Sequence, residues 1–166
     1  MSQTRIPIAT TTLTTSAADV TFSSIPNTYT DLVLIINAKF SAETDLDAQL
    51  NGDTGSNYSV TRMWGTGSTA ATSRNTSATF MRLDNYGYPD TTFAGINITH
   101  INDYSNTTTY KTVLSRADNA NNGSNLAVNL WRNTNAINSI KLFPAAVTGY
   151  TISSGSTFTL YGIKAA

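Results

Sequence analysis

The sequence predicts an all-β protein, built as an antiparallel two-sheet β-sandwich, from three observations. Thr, Ser and Asn supply 29, 17 and 17 of the 166 residues, whereas the helix formers Glu and Lys number one and four. Apolar and polar residues alternate at period two along most of the chain. Clusters of Gly, Asn, Asp and Ser separate these runs. About ten short strands with such turns are typical of two packed sheets, and a jelly roll is the preferred topology.

Each predicted strand places alternate residues on one face. In chain order these sets are Val20 and Phe22; Leu32, Leu34, Ile36, Ala38 and Phe40; Tyr58, Val60, Arg62 and Trp64; Ala94, Ile96, Ile98 and His100; Leu126, Val128 and Leu130; Ile140 and Leu142; Phe158 and Leu160. The run at 31–40 is the most apolar, so we expect it to be a central strand. Residues 1–12 are interpreted as a candidate N-terminal arm, and residues 13–166 as a single domain.

Charge and composition argue against several classes of partner. Ten basic residues balance ten acidic ones, so the chain lacks the cation excess that nucleic-acid binding needs. The longest apolar run, LVLII, is too short to span a bilayer, and the N-terminus lacks the apolar core of a signal peptide. There is no Cys. We therefore expect a protein made in the cytoplasm, without disulfides, that binds neither nucleic acid nor a membrane.

The loop LNGDTGSNYS, residues 50–59, allows two interpretations. Asp53 and Asn57, with Asp45 and Asp47 nearby in sequence, could offer hard oxygen ligands to Ca²⁺. The spacing matches no EF-hand loop, however, and no acidic residue follows at the closing position. Asn-Gly and Thr-Gly instead supply the positive φ angles of a hairpin turn. A turn is favoured, and no metal is predicted.

Groups suited to catalysis are few. The chain has one His, His100, and one Glu, Glu43. His100 could activate a Ser or Thr only if Asp103 or Asp118 oriented it, and no G-x-S-x-G sequence accompanies it. A structural His and a solvated Glu are favoured. We predict no catalytic residue, no cofactor and no enzymatic activity.

Four aromatic residues are candidates for partner contacts: Trp64, Tyr86, Tyr88 and Trp131. They end strands or lie in turn-rich sequence, where flat rings could stack on sugars or anchor a protein. Alternatively, the two Trp side chains cap the ends of the core. The capping role is favoured for Trp131, whereas for Trp64 and the tyrosine pair the two interpretations are balanced.

Five stretches together resemble, in the same order, a family of small virion proteins of tailed bacteriophages. They are VTFSSIPNTYTDLVLIINAK, LNGDTGSNYS, YKTVLSRADNANNG, NLAVNLWRNTNAINSIKLFPA and SGSTFTLYGIKA, and they extend from Val20 to Ala165. The stretch GYPDTTFAGINITHIND departs most from the family. The resemblance implies a β-sandwich or jelly-roll module on the particle exterior and brings no catalytic residues. It also implies that LNGDTGSNY is a framework turn.

The resemblance leaves two roles open. The first is a capsid cement, or decoration, protein that binds the major capsid protein as a homo-oligomer, expected to be a trimer. The second is a tail or fibre adhesin that binds host surface glycans through the four aromatic residues. An enzyme such as a depolymerase is disfavoured by the residue inventory. Cement is preferred because the sequence contains no coiled coil or collagen-like shaft.

Overall fold

The protein is all-β, as predicted. The computed structural model describes residues 4–85, 89–145 and 149–164, and among them it contains twelve strands and no helix. The strands form two antiparallel sheets, so the two-sheet sandwich is confirmed, with twelve strands instead of about ten. No helix in the described ranges is long and apolar enough to cross a membrane.

In chain order the strands are β1 (Thr4–Thr12), β2 (Val20–Phe22), β3 (Asp31–Ala38), β4 (Leu46–Leu50), β5 (Tyr58–Gly65), β6 (Ala70–Ala78), β7 (Met81–Asp84), β8 (Gly95–Ile101), β9 (Lys111–Asn119), β10 (Gly123–Trp131), β11 (Ile140–Pro144) and β12 (Thr157–Lys164). The large sheet has the order β1-β12-β3-β8-β9-β10-β5-β6, and the small sheet β2-β11-β4-β7. The chain passes repeatedly from one sheet to the other, so strands distant in sequence are neighbours in both sheets.

The first strand belongs to the large sheet. β1 pairs with β12 along its length, with a shift in register between Pro7 and Ala9. The segment interpreted as a candidate arm is therefore an edge strand from Thr4 onward. Through its pairing with β12, β1 forms one edge of the large sheet.

The core lies between the sheets. The predicted apolar face of β3 is buried, with Leu32, Leu34, Ile36 and Ala38 at most 1% exposed, and Phe40 beyond it is also buried. β3 has a partner on each side, β12 and β8, as expected of a central strand. The opposing layer comes mainly from β4 and β11. This burial of aliphatic and aromatic side chains is the main stabilising contribution to the fold.

Strand β7 is an edge of the small sheet, but its outer backbone groups are not left open. Asn129 of β10 accepts from the Arg82 amide (3.0 Å) and donates to the Arg82 carbonyl (3.0 Å). The Leu83 carbonyl accepts from Asn97 Nδ2 (3.0 Å) and Ser115 Oγ (2.8 Å). Polar side chains on the inner face of the large sheet thus replace a neighbouring strand for β7. They satisfy groups whose burial without partners would be costly.

Candidate functional site

The outward surface of the large sheet carries a set of exposed apolar side chains. We define the apolar face as Met63, Ile96, Ile98, Leu114, Leu126 and Val128. Five of the seven large, exposed hydrophobic residues among those described belong to it, and they are 40–54% exposed. Single exposed apolar residues are ordinary, whereas a cluster on one sheet surface marks a site of interaction.

The strand register makes this set contiguous. Leu126 of β10 lies directly opposite Met63 of β5, and Val128 lies opposite Leu114 of β9. Ile98 of β8 is opposite Arg116, which is in turn opposite Leu126. Directly opposed side chains on one face of an antiparallel pair are about 5 Å apart. The apolar face therefore crosses four neighbouring strands, β8, β9, β10 and β5, and Arg116, Asp118 and His100 are the polar residues between its members on β8 and β9.

Two depressions shape the apolar face. A groove of about 700 Å³ runs along its β5–β6 side, between Met63, Leu126 and the start of β6. A second, of about 370 Å³, lies between Ile98, Leu114 and Leu126 and is also lined by Arg5 and His100. The surface is thus uneven, and a partner that fills these depressions would bury more apolar area than a flat one.

Charge on this surface is sparse. Arg116 Nε lies 3.5 Å from Asp118 Oδ2, and both side chains are about half exposed. An exposed pair of this kind contributes little to stability and adds no net charge to the apolar face. Arg5, which lines the second depression, adds a cation that a partner filling that depression would have to desolvate.

These apolar residues face outward because their neighbours along the strands form hydrogen bonds inside the sandwich. On β8, Asn97 and Thr99 alternate with Ile96 and Ile98, and both polar side chains are buried. On β10, Asn129 is buried next to the exposed Val128. Asn97 and Asn129 point inward because they bond to the backbone of β7. Since side chains alternate along a strand, their apolar neighbours must face solvent.

The four aromatic candidates fall into different environments. Trp131 is fully buried, so the capping role describes it: its ring stacks on Tyr58, with centroids 6.4 Å apart. Trp64 of β5 is half-buried and lines the larger groove, with the Arg62 guanidinium 5.8 Å from its ring centroid. Tyr86 and Tyr88 lie outside the described residues. Trp64 and Trp131 do not form a shared binding surface, because the Trp131 ring is buried.

The loop at 50–59 is a turn, but it does not close a hairpin. Asn51 and Gly52 have positive φ (53° and 68°), as Asn-Gly predicts, whereas Gly55 does not. The strands that the loop joins, β4 and β5, belong to different sheets. The loop therefore carries the chain across the sandwich, and the expectation of a hairpin was wrong because sheet membership is not encoded in the turn residues.

Asp53 organises this crossing. Its Oδ2 accepts from Trp131 Nε1 (2.7 Å) and Asn57 Nδ2 (2.9 Å), and its Oδ1 accepts from the Gly55 amide (2.8 Å). Partial burial acts to raise the pKa of Asp53, but these donors outweigh it and hold the pKa below its usual 3.8. Both carboxylate oxygens face N–H groups, so the geometry serves the loop and not a cation.

A second carboxylate, Asp47, is part of a buried ion pair. Arg82 contacts Asp47 through two bonds (2.9 and 3.2 Å) and also pairs with Asp45. Asp47 is 0% exposed, and burial raises its pKa well above 3.8, with Arg62 opposing the shift. The pair joins β4 to β7 in their shared register. Asp45 and Asp47 thus hold the small sheet together, away from Asp53.

Groups for catalysis or metal binding do not converge in the described part of the chain. His100 is half-buried on the outward surface of β8, while Glu43 is exposed in a loop. Asp118 pairs with Arg116, and Asp103 accepts from Asn106 Nδ2 (2.9 Å). Across residues 4–85, 89–145 and 149–164, no three or more His, Asp or Glu side chains could hold one metal ion.

Sequence reasoning missed the apolar face as a surface. The period-two pattern correctly aligned Ile96 with Ile98 and Leu126 with Val128, but it could not tell which side of each strand faces the core. The available signal was the presence of Asn, Thr or Ser at several alternate positions of β8, β9 and β10, such as Asn97, Ser115 and Asn129. No protein-family model matches the chain, and no curated protein matches its sequence.

Proposed function

We propose that this chain is a bacteriophage virion protein that acts as capsid cement: it binds the outer surface of the assembled shell and stabilises it. The observation that carries the proposal is the apolar face. A broad sheet surface with five large, half-exposed aliphatic or Met side chains suits contact with another protein. The ordered resemblance of five stretches to small virion proteins supplies the setting.

The chemistry of the surface favours a protein partner over a glycan. Sugar rings stack on flat aromatic faces, but the apolar face has only Met, Ile, Leu and Val. Trp131 is fully buried, whereas Trp64 is half-buried and lines the larger groove. Of the two described aromatic candidates, only Trp64 is therefore left to the adhesin role.

The mechanism is mass action. A protein that binds assembled shell better than free subunits lowers the free energy of the shell. Fully burying a Leu- or Ile-sized side chain contributes roughly 1.5–3 kcal/mol, so covering the exposed half of five such residues contributes roughly 4–7 kcal/mol for each copy. Much of this is offset by the entropy lost on association. Many copies on one lattice would still add up to a substantial resistance to rupture.

The first experiment is to count copies of the chain relative to the major capsid protein in purified particles by quantitative mass spectrometry. A ratio near one, or a simple fraction of it, is expected of a protein on the shell lattice. A few copies in each particle would replace cement with a tail or fibre role, and glycan binding would then be tested. No copies in purified particles would refute any virion role.

The second experiment tests the apolar face itself. Particles lacking the chain should assemble but rupture at a lower temperature, and added native protein should restore their heat resistance. The variant Leu126→Lys/Val128→Lys should fold but fail to restore it, because two charges would have to be desolvated in the contact. Phe93→Lys is the matched control, since Phe93 is 49% exposed and lies outside the apolar face. Equal rescue by both variants would exclude this face as the shell contact.

A further inference from the structure

The two sheets have four edge strands, and three of them are protected against further pairing. β1 contains Pro7 and a shift in register. β2 has only three residues. β7 has its outer backbone groups bonded to Asn97, Ser115 and Asn129. Proline, irregular register, short length and covering contacts are the devices by which proteins prevent edge pairing.

The fourth edge, β6, shows none of these devices over most of its length, and the only charge on it is Arg74. It has nine residues, AATSRNTSA, with a single charge and no Pro. Within the described residues it pairs only with β5, and the pairing is regular from Ala70 to Thr76. The irregular part is confined to its end, where Ser77 has a φ of 78°. A long, regular and mostly exposed edge is a template for another strand.

We propose that β6 pairs antiparallel with β6 of a second copy of this chain, across a two-fold axis at Ser73. In this register Ser73 lies opposite Ser73, Thr72 opposite Arg74, Ala71 opposite Asn75, and Ala70 opposite Thr76. The large sheets of the two copies join into one continuous sheet of sixteen strands. This inference does not depend on the proposed function, and it predicts a dimer in place of the trimer expected of a capsid cement protein.

The sequence of β6 selects this occupant and this register. An axis at Arg74 would place two Arg side chains directly opposite each other, which is unfavourable. An axis at Asn75 would extend the pairing into Ser77, where the strand is irregular. An axis at Thr72 would pair only the five residues from Ala70 to Arg74 of the strand. An axis at Ser73 pairs seven residues, places a Thr opposite each Arg74, and leaves only small, hydroxyl and amide side chains in the other pairs. The strand can thus pair with itself without a like-charge contact or an irregular position.

Overall charge also permits the pairing. The chain has a formal net charge of zero, so two copies do not repel each other at long range. Seven paired residues form a ladder about 24 Å long. Closed two-fold contacts of this kind use the same residues on both copies and cannot propagate, because β1, the other edge of the large sheet, is protected.

The absence of Cys allows a direct test by disulfide formation. In Ser73→Cys the two Cα atoms would be about 4.5–5.5 Å apart, within the range for a disulfide. In Asn75→Cys the residues of the two copies would be four positions apart along the strands, about 14 Å, which is too far. Under mild oxidation we expect a covalent dimer for Ser73→Cys only. Asn75 is the more exposed side chain, so random collision would favour the opposite result.

Two variants at Thr72 test the register independently. Thr72→Glu would face Arg74 of the second copy and should tighten dimerisation by roughly fivefold, whereas Thr72→Lys should weaken it by a similar factor. Sedimentation equilibrium measures both against the native protein, whose dimer has twice the 17.8 kDa mass of one chain. A native protein that remains monomeric at millimolar concentration, a trimer of three times that mass, or equal cross-linking of the two Cys variants would overturn the proposal.

Discussion

Replacing Asp53 by Ala tests whether one carboxylate holds the crossing between the sheets. The carboxylate accepts from Trp131 Nε1 (2.7 Å), the Gly55 amide (2.8 Å) and Asn57 Nδ2 (2.9 Å). Trp131 is 0% exposed, so its N–H would be left buried without this acceptor, at a cost of about 1–3 kcal/mol. The Gly55 and Asn57 donors can form hydrogen bonds with water instead, so the loss of each bond lowers the free energy of unfolding by only about 0.5–1 kcal/mol.

Together these changes predict that Asp53→Ala lowers the free energy of unfolding by about 3 kcal/mol. For a domain of this size that corresponds to a decrease in Tm of about 6–12 °C. Urea and thermal unfolding, followed by Trp fluorescence and circular dichroism, measure both quantities. Asp53→Asn keeps one acceptor oxygen and should lie between the Ala variant and the native protein.

A double-mutant cycle separates the Trp131 bond from the other two. Trp131→Phe removes the donor, and the coupling between Asp53→Ala and Trp131→Phe should be about 1–2 kcal/mol. If the free energies of unfolding of Asp53→Ala and the native protein differ by less than about 0.5 kcal/mol, contacts other than this carboxylate hold the loop. A large loss with no coupling to Trp131 would show that the Gly55 and Asn57 contacts dominate.

Three further predictions concern pH, a buried cation and a close contact. Because the folded-state pKa of Asp53 is lowered, the ionised carboxylate should stabilise the fold fully above its ordinary pKa of 3.8 and lose this effect as the pH falls through the folded value. The difference in unfolding free energy between the native protein and Asp53→Asn should therefore shrink in this acid range. Lys111 is 1% exposed and its ammonium donates to three backbone carbonyls. Lys111→Met should therefore lower the free energy of unfolding in urea by about 3 kcal/mol. Lys141 is exposed, so Lys141→Met should change it by less than about 0.5 kcal/mol. Gly162→Ala should destabilise by about 1–3 kcal/mol, because the added Cβ would overlap the Tyr29 ring; a thermal midpoint equal to that of the native protein would show that the ring moves freely.

The element pattern was largely predictable because period-two alternation is a local property. The strand at 31–40 and the faces of β11 and β12 are oriented as their apolar residues indicate. The orientation of β8 and β10 was not predictable in this way. Two of their inner residues, Asn97 and Asn129, are polar because they bond to β7, and β7 is distant in sequence from β10, so only the folded arrangement brings these strands together.

The candidate site was hidden for the same reason. A run such as Leu126, Val128 and Leu130 looks like a core face, and its exposure becomes evident only when Asn125 and Asn129 are seen to be buried. The burial of Trp131 agrees with the capping role favoured from the sequence, but its hydrogen-bond partner was not predictable. Trp131 ends β10 next to a polar loop, and the Asp53 carboxylate accepts from its N–H and allows the ring to be buried.

The position of β12 between β1 and β3 has a consequence for synthesis of the protein. β1 has no other neighbour in the large sheet, so the first strand to be made must wait for the last before it can pair. Pairings between such distant segments form slowly, because a long loop must close first. On a ribosome, the amides of β1 should exchange with solvent until β12 has emerged, and pulsed hydrogen exchange on stalled chains would reveal this delay. The large sheet would thus be complete only once β12 has been synthesised.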